Sequence, residues 1–328
     1  METETLSMLK ALIFDVDGTL AETERDGHRL AFNQAFAEVG LEWNWSVEAY
    51  GKLTEIGGGK ERIAYYLENF DHFQQLENLH NLPSPELLNP ELLNPELPNP
   101  ELPNPELIET REPIQSLKSQ LQHIAQDQGF ETLKEWIADL HHRKSSYYAQ
   151  ILAQGLIRPR PGVLRLLEEA KTLGIPLAIA TTSALPNALS LLQTTIAPDS
   201  QAWFQVIAAG DMVPQKKPAP DIYQYVLAQL QLSPAECLVF EDSQVGLAAA
   251  KGAGLTTIVT VNDYTEGQDF STADLVISHL GEPDLPWQIR SNPHRYVSPF
   301  SEPFTYATMA RLEDFFNFVK ALRASSAD

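Results

Sequence analysis

Short apolar runs recur along this chain with helical patterns between them, and that alternation limits the fold more than any other feature. Residues 9–16 form the first run, ending in Phe14-Asp15-Val16 and bounded by Gly18. Residues 177–181, 206–209, 237–240 and 256–261 repeat the pattern, and 275–277 is a weaker sixth. Apolar runs of this length suit strands buried on both faces. Between them, 163–174 carries apolar residues at helical spacing and ends in Gly174, and 222–230 and 246–254 read the same way. Strand and helix in repeated alternation predict an α/β fold, with a parallel sheet covered on both faces. Ligands of such sheets bind at the carboxyl ends of the strands.

The stretch between the first run and the rest lacks this alternation. Residues 28–39, 117–125 and 132–152 read as helices, so 23–157 is expected to be a helical insertion, a second domain or lid. Inside it, from Glu86, the unit Glu-Leu-Leu-Asn-Pro occurs twice and Glu-Leu-Pro-Asn-Pro twice. A proline in every unit blocks helix continuation and pushes the preceding residue to extended geometry. Residues 82–112 are therefore expected to form an extended, mobile loop; the alternative is a binding motif anchored by its leucines. After Gly281 come Pro283, Pro286, Pro293, Pro299 and Pro303, then a final amphipathic helix over 306–322. Its Phe315, Phe316, Phe318 and Val319 are expected to pack on the body. The expected layout is core over 1–22, cap over 23–157, core over 158–281 and a C-terminal extension over 282–328.

Composition narrows the function. The 328 residues suffice for one large domain or two ordinary ones, and a 43% hydrophobic content can supply a core. Against 23 basic residues stand 44 acidic ones, a net charge of −21. That field repels nucleic-acid backbones and anionic lipid, so neither is an expected partner. An anionic substrate would need a local positive pocket. Cys237 is the one cysteine and lies in an apolar run, which excludes an internal disulfide and a zinc cluster and predicts a buried strand residue. No apolar run reaches 18 residues, and the acidic start lacks signal- and transit-peptide character, so a cytoplasmic protein is expected, taken as a monomer.

Polar clusters follow the apolar runs. Asp15-Val16-Asp17-Gly18-Thr19 comes directly after the first. Two carboxylates two apart on an extended chain point to one side. One can act as a nucleophile that forms an acyl phosphate, the other as general acid and base. Gly18 permits a sharp exit, and Thr19 offers a hydroxyl and an amide to an anion. Thr181-Thr182-Ser183 can hold phosphate oxygens. Lys217 precedes a rigid turn and can neutralise phosphate and nucleophile together. Glu241 and Asp242, added to Asp15 and Asp17, suit a hard cation such as magnesium. Each cluster alone has a plainer use, as a turn, a helix cap or a solvated loop. Four of them in one chain, in the order acid pair, hydroxyl, lysine, acid pair, favour catalysis.

These motifs resemble those of the haloacid dehalogenase-like hydrolases, with Asp15 to Thr19 similar to the first, Thr181 to the second, Lys217 to the third and Glu241-Asp242 to the fourth. The resemblance covers about residues 9–281. It implies a Rossmann-like core with an α-helical cap inserted after the first motif. It implies that Asp15 attacks phosphorus, while Asp17 protonates the leaving oxygen and then activates water. Magnesium would be held by the Asp15 carboxylate, the Asp17 carbonyl, Asp242 and Glu241, with Thr181 and Lys217 on the transferring phosphoryl.

A closer resemblance is to the CbbY-like branch, phosphatases associated with the Calvin cycle that act on xylulose 1,5-bisphosphate. It rests on Ala21-Glu22-Thr23-Glu24, Gly58-Gly59-Lys60-Glu61-Arg62-Ile63, His141-His142-Arg143-Lys144, residues 180–187 and Ala209-Gly210-Asp211-Met212-Val213. It implies that substrate for this chain. Lys60, Arg62, Arg143 and Lys144 would clamp the uncleaved phosphate if they face the core, the alternative being an exposed face of the helical cap; Glu24 and His28 would bind hydroxyls or else mark a plain helix N-terminus, and Thr182 would assist on the substrate. A sugar-phosphate mutase resembling β-phosphoglucomutase shares this chemistry until the phosphoaspartate meets water or a sugar hydroxyl. A non-catalytic interaction protein using the repeat is the other alternative, and the intact acid pairs and lysine argue against it.

Overall fold

The structure, a computed structural model, describes residues 9–54, 56, 58–70, 73, 121, 125–294, 296–297 and 305–325. The loop expected over 82–112 and most of the helix expected over 117–125 lie outside these residues. Two compact units emerge, one of Met1–Leu30 with Tyr148–Asp328 and one of Ala31–Tyr147.

The first unit holds a seven-stranded sheet of β1 (Ala11–Phe14), β2 (Leu177–Thr181), β3 (Phe204–Ala209), β4 (Cys237–Glu241), β5 (Thr256–Thr260), β6 (Leu275–Ile277) and β7 (Ile289–Ser291). The strand order is β3-β2-β1-β4-β5-β6-β7. Strands β1 to β6 run parallel, and β7 joins β6 antiparallel at the edge. Every residue of β1, β2, β4, β5 and β6 is buried, which explains their unbroken apolar runs. The β1 strand is shorter than its run, because Asp15 and Val16 leave the sheet for a loop. No pattern marked β7, whose three residues are all exposed.

Side-chain alternation divides the packing. Ala11, Ile13, Ala178, Ala180, Ala208 and Val239 meet Ile222, Tyr223, Val226 and Leu227 of the helix Asp221–Leu230 and Ala249 and Ala250 of the helix Gln244–Gly252. The alanines on the strands let the helical side chains come close. Phe14 stacks on Phe240 at 4.8 Å. The helix Val163–Thr172 buries Val163, Leu166, Leu167 and Ala170, one stripe at helical spacing, and gives way to Gly174 at φ 69°. Each such buried aliphatic side chain contributes about 1.5–3 kcal/mol.

The C-terminal extension packs on this unit. Its helix Met309–Ser325 buries Leu312, Phe315, Phe316 and Val319, with Phe318 half-buried. Arg165 binds Glu282 Oε2 at 2.8 Å, the Gly281 carbonyl at 2.7 Å and the Ala307 carbonyl. Near the start of β5, Asp274 accepts from Arg323 at 2.7 Å and from Lys251, and His294 Nε2 lies 3.2 Å away.

The second unit is helical. It contains most of Arg29–Glu38, then Val47–Thr54, Gly59–Glu68 and most of Leu133–Ala153. An aromatic core joins Phe32, Phe36 and Tyr66 to Trp45, at centroid distances of 4.7, 4.8 and 5.2 Å. Among the described residues no helix is long and apolar enough to cross a membrane.

Candidate active site

Asp15 is the first residue beyond β1, and its N–H still donates to the Phe240 carbonyl at 3.0 Å. That bond fixes the carboxylate at the carboxyl end of the sheet. The chain then turns on Gly18, at φ 79°. A Cβ on Gly18 would collide with Asp242 Oδ2 and stand 2.7 Å from Asn262 Nδ2, so only glycine permits this approach. Thr19 is buried, and its Oγ1 has no hydrogen-bond partner among the described residues.

The Lys217 ammonium lies 2.7 Å from Asp15 Oδ1 and 2.6 Å from Glu241 Oε1. Tyr223, on the helix that follows, donates its hydroxyl to the same Glu241 oxygen. Asn262 Nδ2 donates to Asp242 Oδ2 at 2.7 Å. One carboxylate oxygen each of Asp15, Glu241 and Asp242 lies within 4.8 Å of the others, and all three residues are buried. Asp17 stands apart from that group. Thr23 donates to its Oδ1 at 2.6 Å, and Ser183 donates to its Oδ2. Thr181 is buried at the end of β2 and accepts from the Ser183 N–H at 3.1 Å, whereas Thr182 is exposed.

Burial governs the electrostatics. It raises the Asp15 carboxyl well above the carboxylate range, against the pull of Lys217 and with the push of Glu241 and Asp242. Burial, with Glu241 beside it, pushes Asp242 up to about 8. Asp17 is raised by burial too, less so because Ser183 and Thr23 hydrogen-bond its anion. For Lys217 burial works downward, but Asp15 and Glu241 outweigh it and hold the ammonium charged. Three carboxylates around one ammonium leave a buried excess of negative charge. An all-oxygen donor set of that charge fits a hard divalent cation.

Of the residues anticipated from sequence, Asp15, Lys217, Glu241 and Asp242 come together, and Thr181 stands beside Ser183, the residue that binds Asp17. Glu24 acts electrostatically on Asp17. His28 stacks on Tyr148 at 3.9 Å, and Tyr148 is raised by burial and by Asp17 and Glu24. The remaining cations belong to the helical unit. Arg62 donates to the Ile56 carbonyl at 3.0 Å and to the Tyr50 hydroxyl at 2.8 Å. Arg143 pairs with Asp139 and Glu38, each at 2.6 Å. Lys144 is buried, with its ammonium 5.0 Å from the Phe32 ring centroid. Lys60 lines a cavity of about 370 Å³ with Leu133, Lys134 and Ile137. Burial, Lys144 and Lys60 together lower His141 to about 4.

Sequence reasoning missed Tyr223, Asn262 and Arg160, and named Thr23 and Ser183 only as members of longer motifs. Asn262 was within reach, since it follows the fifth apolar run as the others follow theirs. Tyr223 was hidden as one aromatic in an apolar stripe. Arg160, in Arg158-Pro159-Arg160-Pro161-Gly162, gave no signal.

A profile described as haloacid dehalogenase-like hydrolase matches residues 9–254. Protein CbbY of Rhodobacter capsulatus is 41% identical over 284 residues, which span 85% of this chain and 99% of that protein. The crystal structure of CbbY from Rhodobacter sphaeroides in complex with phosphate is 37% identical with a TM-score of 0.57, covering 83% of this chain and 95% of that one. A mutant of the same protein, crystallised in complex with xylulose-(1,5)bisphosphate, is 36% identical with a TM-score of 0.56 and the same coverage.

Proposed function

The chain belongs to the haloacid dehalogenase-like hydrolase family, and from that premise we propose that it is a magnesium-dependent phosphatase that converts xylulose 1,5-bisphosphate to xylulose 5-phosphate. The single observation that carries the chemistry is Lys217, which bonds both Asp15 and Glu241 beside Asp242. The similarity to a protein crystallised with that bisphosphate supports the substrate.

In this reading the Asp15 carboxylate attacks phosphorus and forms a phosphoaspartate. Lys217 draws the Asp15 carboxyl toward its ionised form, against the burial that raises it, and offers charge to the phosphoryl group, with Thr181 as a further donor to its oxygens. Asp17, raised by burial, carries the proton that the leaving sugar oxygen takes. Thr23 and Ser183 hold the Asp17 anion that results. That anion then removes a proton from the water that attacks the phosphoaspartate, which releases inorganic phosphate and restores both acids. Asp15, Glu241 and Asp242, with the Asp17 carbonyl, would hold magnesium, which when bound supplies positive charge against the phosphoryl oxygens. Lys60, Arg62, Arg143 and Lys144 are assigned to the uncleaved phosphate, and Glu24, His28 and Thr182 to the rest of the sugar.

The test is free phosphate released from xylulose 1,5-bisphosphate with magnesium, run beside conversion of β-glucose 1-phosphate to glucose 6-phosphate. Stoichiometric phosphate and xylulose 5-phosphate support the proposal. Isomer conversion without phosphate release would replace it with a mutase. Wild-type turnover by Asp15→Asn would overturn the phosphoaspartate.

A further inference from the structure

Arg160 has 5% of its surface exposed, and its guanidinium is spent almost entirely on backbone carbonyls. Nη1 donates to the Gly18 carbonyl and, at 2.8 Å, to that of Thr260. Nη2 donates to the Val261 carbonyl and, at 2.7 Å, to that of Ser278. Glu22 Oε1 lies 2.8 Å from Nε, an ion pair not aligned as a hydrogen bond. The Arg160 N–H also donates to the Leu20 carbonyl at 2.9 Å, and Pro159 bridges to Ala21.

These partners lie on the loop after β1, on the end of β5 with the loop after it, and at Ser278 just beyond β6, and the first two loops have different tasks. Gly18 follows Asp17 directly. Val261 precedes Asn262, which grips Asp242 at 2.7 Å. The two loops meet where Gly18 leaves no room for a side chain beside Asp242 and Asn262. A planar guanidinium with five donors can hold both at once, and a lysine ammonium cannot reproduce that fork.

We propose that Arg160 is a positioning residue that sets the spacing of Asp17 and Asp242 by clamping the loop that carries Asp17 to the loop whose Asn262 holds Asp242. It touches no reacting atom. The inference rests on the phosphatase reading above, because spacing at these two residues matters only to that chemistry. A misplacement of about 1 Å can cost roughly a hundredfold in rate.

The experiment compares Arg160→Lys with Arg165→Lys, which loosens a half-buried set of carbonyl contacts at Gly281 and Ala307. Turnover of p-nitrophenyl phosphate, magnesium affinity by calorimetry and thermal stability are measured for each. A second variant, Arg160→Gln, keeps two donors and removes the charge. For folded Arg160 variants kcat should fall about ten- to a hundredfold with KM within about twofold, and magnesium should bind about tenfold more weakly. Arg165→Lys should lose stability with kcat and magnesium affinity unchanged. Arg160 variants that lose only stability, as Arg165→Lys does, overturn the inference while leaving the phosphatase reading intact. A wild-type chain without phosphatase turnover on any sugar or aryl phosphate overturns both.

Discussion

Lys217 Nζ stands 2.7 Å from Asp15 Oδ1, although 202 positions of sequence separate the two residues. The contact exists because β1 delivers Asp15 to the centre of the sheet and the turn before Asp221–Leu230 delivers Lys217 above it. With Glu241 at 2.6 Å on its other side, this ammonium is paired with two of the three buried carboxylates. Replacing Lys217 with methionine should lower kcat by about 10²–10³, the usual effect of removing one such donor. Without a bound cation it should also destabilise the fold by about 3–5 kcal/mol, because buried anions then lack their partner. Steady-state kinetics and urea unfolding in chelator check both.

The raised acids make the cation-free protein sensitive to pH. Burial beside Glu241 moves Asp242 from the ordinary aspartate value of 3.8 up to about 8, so between these values the folded chain holds a proton that the unfolded chain has lost. Its contribution to stability is fully present below about 4 and fades as pH rises to about 8. In chelator, wild type should therefore lose stability relative to Asp242→Asn across that window, as measured by thermal unfolding at a series of pH values. Saturating magnesium needs the ionised carboxylates, so it should protect wild type increasingly over the same range. A wild type that gains on Asp242→Asn as pH rises in chelator would contradict the buried, protonated acid.

Ser183 donates to the Asp17 oxygen that Thr23 does not reach. The bond lowers an Asp17 carboxyl that burial has raised. In Ser183→Ala the acid should titrate higher, and the limb of the kcat profile that reports it should shift toward alkaline pH. A hydrogen bond to a charged group is worth about 1.5–3 kcal/mol, which sets the expected fall in kcat at about ten- to a hundredfold. Ser183→Thr should retain most activity. A pH–rate profile of the three proteins decides the point.

Phe316 is wholly buried on the final helix. Truncation to alanine should cost about 3–5 kcal/mol through lost transfer energy and the cavity left behind. Turnover at low temperature should be unchanged, since nothing on that helix enters the site. Calorimetric unfolding and assay at 10 °C test the two halves of the statement.

Much of this was legible because sheet topology turns a one-dimensional cue into a three-dimensional one. Polar residues that follow buried parallel strands must emerge at one end of the sheet, so Asp15, Thr181, Glu241 and Asp242 could be expected there without knowing the strand order. The same cue applied to β5 points to Asn262. What sequence could not carry was contact made through backbone. Arg160 binds carbonyls, which every residue owns, so no residue type betrays its partners. The β7 strand was silent for the opposite reason. An exposed three-residue edge needs no apolar pattern, only hydrogen bonds to β6. Tyr223 used an apolar body to sit in the core and its hydroxyl to reach Glu241, and periodicity registers only the first.

Arg323 is tied to Asp274 near the start of β5, whereas Asp15 and Asp242 lie beyond the ends of β1 and β4. Parallel strands give every start the same side and every finish the other. A surface, bead or fused label tethered through the last turn of Met309–Ser325 therefore attaches to the pole of the sheet remote from the carboxylates. Immobilisation by that end sets the support on the opposite side of the sheet from Asp15.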